Sequence, residues 1–132
     1  MIGLDTNVLI RYLVQDDPRQ AKMATKLIEG KCSKQSPGRI SLVVMCELVW
    51  VLLGAYRYPK KSVVAALGQL LITAELEVEN EEVARLSLDA YRNGAADFAD
   101  YVIGFSNKKA GCDVTYTFDH AFGNSRIAKS LH

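Results

Sequence analysis

The chain has 132 residues, of which 49% are hydrophobic and 23% charged, and its formal net charge is +1. That is the length of a single domain, apolar enough to close its own core and too apolar to remain disordered. The near-neutral total argues by itself against a dedicated nucleic-acid binder, which is usually clearly basic. The total conceals a segregation, however. Residues 1–74 carry ten basic and five acidic side chains, residues 75–100 two basic and eight acidic, and residues 101–132 four basic and two acidic. Cys32, Cys46 and Cys112 form no Cys-x-x-Cys pair, which counts against structural zinc and suits reduced thiols in a cytoplasm. Asp5 interrupts the first apolar run, so the opening does not read as a signal peptide. The most apolar stretch, 40–56, is broken by Glu47 and falls short of the ~20 residues of a membrane span. The expectation is a cytoplasmic, single-domain protein with no membrane association.

In chain order, residues 1–4 read as a short strand that ends at Asp5. Residues 7–14 read as a helix, with Val8 and Tyr12, and Leu9 and Leu13, at i, i+4 spacing. Asp17 and Pro18 are a cap and a first helical position, opening a helix through Ala21, Ala24, Leu27 and Ile28 that Gly30 should stop. Residues 31–38 are a polar loop ending in Ser36-Pro37-Gly38. A second strand is expected over 39–42, with Ser41 as a cap for a helix over 43–54. Pro59 opens a helix over 60–73, and the alternation at 75–79 predicts a strand. Helices follow to about Asn93-Gly94 and from Asp97 to Ala110, closed by Gly111. Residues 113–118 read as a strand from their β-branched and aromatic content. The last dozen residues suit a short helix and a final strand. Short strands alternating with helices imply an α/β fold with a largely parallel sheet, whose ligands bind beyond the carboxyl ends of the strands.

Four acids fall where that rule matters. Asp5 and Asp119 end predicted strands, and each also precedes a possible helix, where Asp is a favoured cap. Glu47 is the only charge between Arg39 and Arg57, and at helical spacing its neighbours are Val43, Val44, Trp50 and Val51. A carboxylate on or beside an apolar stripe needs a cation, a hydrogen-bond network, or an edge position that reaches solvent. Asp97 and Asp100 share a helix face, where like charges repel unless something positive lies beside them. Asp97 is well explained as a helix cap. Capping explains Asp100, one turn in and followed by Val102, Ile103 and Phe105, less well, which makes it the stronger ligand candidate. Oxygen-only clusters suit Mg²⁺ or Mn²⁺, and the two histidines, His120 and His132, are too few for a typical zinc centre. Such a site suits phosphodiester hydrolysis.

The residues that carry this pattern resemble those of PIN-domain nucleases. The likeness lies in Met-Ile-Gly-Leu-Asp-Thr-Asn-Val-Leu-Ile at 1–10 and Cys-Glu-Leu-Val-Trp-Val-Leu at 46–52. It continues in Ala-Asp-Phe-Ala-Asp-Tyr-Val-Ile-Gly at 96–104, Ala-Gly-Cys-Asp at 110–113 and Thr-Phe-Asp at 117–119. The four motifs stand in the family's order over almost the whole chain, and the nearest likeness is to VapC-type toxins of bacterial toxin–antitoxin pairs. The resemblance implies a PIN-like three-layer α/β fold and a Mg²⁺- or Mn²⁺-dependent endoribonuclease. It assigns Asp5, Glu47, Asp100 and Asp119 as catalytic and metal-holding residues, supported by Thr6, Asn7, Asp97 and Thr117. Hydrolysis would leave a 5′-phosphate and a 3′-hydroxyl. His120 stands where family members often have a basic residue, and its charge depends on pH. The resemblance further implies an RNA substrate, a small antitoxin protein that lays an apolar helix and an arginine into the acidic groove, and a homodimer. Arg11, Arg39, Lys60, Lys61, Lys108 and Lys109 are candidates for the RNA backbone, and Tyr12, Tyr56 and Tyr58 for base stacking. A phosphatase with an aspartyl nucleophile would want a second Asp where Asn7 stands. A catalytically silent PIN-fold module binding RNA or protein would be expected to have lost one of the four acids.

Overall fold

The computed structural model describes residues 1–131 and divides into two compact units, Met1–Glu81 and the residues from Glu82 onward. The first unit contains β1 (Ile2–Gly3), α1 (Thr6–Val14), α2 (Pro18–Lys31), β2 (Gly38–Ile40), α3 (Leu42–Gly54), α4 (Lys60–Ile72) and β3 (Leu76–Val78). Its strands form one parallel sheet in the order β1-β2-β3. Parallel neighbours need a long crossover, and the helix pairs α1–α2 and α3–α4 supply the two crossovers. The register sets Arg39 opposite Glu77, and the two side chains pair at 3.1 Å on the exposed side of the strands. Ile40 and Val78 lie opposite one another on the buried side.

The caps predicted from the sequence are in place. Asp17 Oδ1 accepts from the Gln20 N–H at 3.0 Å, with Pro18 in the first turn, and Ser41 Oγ accepts from the Val44 N–H at 3.2 Å. The strands are shorter than expected, β3 covering Leu76–Val78 and β4 Thr115–Thr117, and two helix boundaries also shift. Gly30 lies inside α2, because its φ is not left-handed and the helix runs on until the Cys32 N–H closes it on the Ile28 carbonyl. Leu42 belongs to α3 and not to the second strand, since the Ser41 cap commits the next residue to the helix. The core of this unit includes Leu9, Ile28, Ile40, Met45, Leu48, Leu52, Val63 and Leu67, all 1% exposed or less.

The second unit holds most of α5 (Glu81–Asn93), followed by α6 (Phe98–Lys109), β4 (Thr115–Thr117), α7 (His120–Gly123) and β5 (Ala128–Ser130). β4 and β5 pair in parallel, with Tyr116 opposite Lys129. The expected parallel strands are thus present as a three-stranded and a two-stranded sheet. Gly111 closes the end of α6 at φ 104°, a backbone region that side chains rarely adopt.

The connection into α6 is folded over the Tyr101 hydroxyl, which accepts from the buried Ala96 N–H at 3.3 Å. Gly94 makes this close approach possible. A Cβ there would run into the Tyr101 hydroxyl and lie 2.8 Å from the Ala90 carbonyl oxygen. Gly94→Ala is therefore expected to cost about 1–3 kcal/mol in urea unfolding, the usual cost of overpacking. Among the described residues no helix is long and apolar enough to cross a membrane.

Candidate active site

Of the four candidate carboxylates, Asp5 and Glu47 belong to the first unit and Asp100 and Asp119 to the second. In the first unit, β1 delivers the chain to Asp5, which caps α1. Its Oδ1 accepts from the Thr6 N–H at 2.8 Å. Thr6 is only 7% exposed, and its hydroxyl donates to Glu47 Oε1 on α3 at 2.8 Å. One buried threonine therefore links the start of α1 to a carboxylate 41 positions away.

Glu47 is half-buried. The core-facing stripe of α3 is Val44, Met45, Leu48, Val49 and Leu52, while Val43 and Trp50, two of the apolar neighbours of Glu47, are exposed. Glu47 thus sits at the edge of the stripe, held by a hydrogen bond. Thr6→Val should remove that bond and cost about 1–2 kcal/mol in urea unfolding, as expected for a hydrogen bond to a charged acceptor near the surface, whereas Thr6→Ser should keep most of it. Asn7 is exposed and lines a cleft of about 420 Å³ with Val8, Arg11, Gln20 and Met23.

In the second unit, Asp97 is the cap residue of α6, and its N–H donates to Asp100 Oδ2 at 3.3 Å. Burial pushes the Asp100 carboxyl above its ordinary range. The neighbouring charges of Asp119 and Asp97 push it the same way, and the hydrogen bond from Asp97 partly offsets the rise. Asp119 caps α7, accepting the Phe122 N–H on Oδ1 at 2.8 Å, and its own N–H donates to Thr117 Oγ1 at 3.0 Å. Thr117 on β4 thus fixes the backbone from which Asp119 projects. His120, next along, is exposed.

A common arrangement runs through all four acids. In each, one carboxylate oxygen accepts a hydrogen bond from this chain, and the other has no such partner among the described residues. For Asp5 and Asp119 that bond is an N-cap bond, and for Asp100 it is the return bond of a capping box with Asp97, so Asp100 too has a capping role that its position one turn in did not suggest. Within the second unit, Asp119 and Asp97 repel the charge of Asp100, and oxygen donors of this kind are the ones divalent cations of the Mg²⁺ class take. Among the described residues, no group of three or more His, Cys, Asp or Glu side chains is arranged to hold a metal ion.

Several basic and aromatic candidates are engaged within the protein. Arg11 bonds Asp16, Gln20 and Tyr56, Arg39 pairs with Glu77, and Lys109 lies 3.8 Å from Glu82. Tyr12 donates to Glu29, and Tyr56 meets Tyr58 edge to face at 6.2 Å. Lys61 and Lys108 are exposed. Of the three free cysteines, Cys46 has its thiol pushed up to about 11 by burial, which makes it a poor nucleophile. Tyr101, which orders the backbone ahead of Asp97, was not singled out from the sequence. A tyrosine four residues beyond a cap reads only as core.

The short parallel strands and the helices around them define an α/β protein. The PIN domain family model matches residues 2–127, and the chain belongs to that family. PIN domains are generally nucleases that use divalent metal ions. Comparison with curated proteins and with solved structures yields no match.

Proposed function

We propose that this protein is a Mg²⁺- or Mn²⁺-dependent endoribonuclease acting through Asp5, Glu47, Asp100 and Asp119, and that it is the toxin of a type II toxin–antitoxin pair. The observation that carries the catalytic reading is the half-engaged state of all four carboxylates, each anchored through one oxygen and open through the other. Asp5 and Asp100 are the main cation holders, with Asp119 completing the set directly or through water. When bound, the cation lowers the pKa of its water and offsets the charge on the phosphate being transferred. Glu47, oriented by the Thr6 hydroxyl, would hold the cation or its activating water. Thr117 holds Asp119 in place. The products are a 5′-phosphate and a 3′-hydroxyl.

The toxin assignment rests on the order of the four motifs, and it carries with it a small antitoxin, a homodimer and a cytoplasmic setting. Exposed apolar side chains in the first unit, Met23 on α2 and Val43, Trp50 and Leu53 on α3, support a protein partner. The test is RNA cleavage with and without Mg²⁺ by wild type, Asp5→Asn and Asp100→Asn. Cutting by both variants at the wild-type rate would refute the site. RNA binding without cutting by wild type would favour a silent binding module. Purification from the native host with no small bound protein would count against the toxin assignment alone.

A further inference from the structure

We infer that Tyr116, Phe118 and Lys129 form a platform on which an unpaired RNA base stacks immediately beside Asp119, a reading that rests on the ribonuclease proposed above. Residues 115–118 alternate in exposure. Thr115 and Thr117 are half-buried, Tyr116 is 59% exposed and Phe118 78% exposed. Thr115 and Thr117 serve the fold, the first bonded to Asn107 and the second to the Asp119 backbone. Tyr116 and Phe118 are presented to solvent, and no ring contact with another aromatic engages either of them among the described residues. Leaving a phenylalanine almost fully hydrated forgoes roughly 1.5–3 kcal/mol of burial, so the position is informative.

Tyr116 is the middle residue of β4, and Phe118 stands one residue beyond the strand's end, in the bend that leads to Asp119. Two exposed rings two residues apart in the chain offer flat faces on which an unpaired base can stack. The charge beside them matches such an occupant. Lys129 stands opposite Tyr116 in the register and is exposed, and Arg126, in the turn before β5, is exposed as well. Neither is in a salt bridge among the described residues, unlike Arg11, Arg39 and Lys109. Exposed aromatic rings interleaved with uncommitted cations are the pattern that grips single-stranded nucleic acid, the rings taking bases and the cations taking phosphates. Phe118 is bonded directly to Asp119, so a base held there sets the neighbouring phosphate next to that carboxylate.

The experiment measures binding of the full chain carrying Asp100→Asn, to suppress cutting, to a fluorescein-labelled single-stranded RNA and to the same RNA fully paired, by anisotropy. Phe118→Ala and Tyr116→Ala should each weaken single-strand binding by about 5- to 150-fold and leave duplex binding within about twofold, while Phe118→Trp should retain it. Lys129→Gln should weaken binding and reduce its salt dependence. Both side chains are exposed, so the variants should keep the parent melting temperature. Unchanged single-strand binding, equal losses on duplex, or dissociation of a homodimer by Phe118→Ala would each overturn the platform. Failure of wild type to cleave any RNA would count against the nuclease reading, while the anisotropy ratio alone decides the platform.

Discussion

Asp100→Asn should reduce RNA cleavage by more than about 100-fold while making the protein more stable. The first effect follows from removing a charge that holds the cation, since loss of even an outer partner of a metal ligand costs up to about 100-fold. The second follows from the environment of the carboxyl. Burial, together with the charges of Asp119 and Asp97, raises its pKa in the folded protein, so folding favours its protonated form. Above the raised folded value the carboxylate therefore works against folding, and below the ordinary carboxylate range that cost disappears. Asparagine is neutral at every pH and can still accept the Asp97 N–H. The melting temperature of the variant should exceed that of wild type at pH 7 without divalent cation, and the gap should close as the pH is lowered through the carboxylate range. Adding Mg²⁺ should raise the melting temperature of wild type and leave the variant nearly unmoved. A variant that is both active and less stable would show that Asp100 is only a helix residue.

Phe98→Ala should be the most damaging single truncation near the site. Phe98 follows the Asp97 cap, is 1% exposed, and meets Tyr91 edge to face at 6.0 Å and 82°. Truncating a buried phenylalanine costs about 3–5 kcal/mol, from lost transfer energy and the void left behind. In a chain of this length, that corresponds to a fall in melting temperature of about 10 °C or more. Phe98→Leu should lose much less, because it refills most of the volume. Urea unfolding of both variants measures the difference directly, and a loss below about 1 kcal/mol for alanine would mean that the first turn of α6 repacks freely.

Much of this was legible in the sequence because it is local. Asp17-Pro18, Ser41 and Asp97 announce their helices through short-range backbone chemistry, and the apolar spacing of α2 points to its buried face. Where tertiary or side-chain closure decides, the sequence misleads. α1 ends at Gln15, a left-handed residue with no glycine signal, whose amide donates to the Tyr12 carbonyl at 2.9 Å. Gly30 looks like a stop and is passed over. Asn80 and Arg57 also adopt left-handed backbone that their residue types do not advertise. The acids themselves were legible as residues out of place, but their hydrogen-bond states were not. Nothing in Glu47 and its neighbours predicts that Thr6, on another helix, will hold it. The exposure of Phe118 was equally hidden, since a phenylalanine in a strand reads by default as core.

The pairing of β5 with β4 bears on how the protein can be trimmed. The family match ends at residue 127, just before β5 begins. A fragment cut at that boundary would lose the strand that backs Tyr116, as well as the Leu131 N–H that donates to the Thr117 carbonyl at 2.7 Å. It would also lose Ser130, whose side chain lies so close over Gly123 that a Cβ there would collide with it. Such a fragment would keep all four carboxylates and still leave β4, the strand that leads to Asp119, with two open edges. For expression work, the sequence-defined boundary is too short by at least four residues, and an appended tag belongs beyond residue 131.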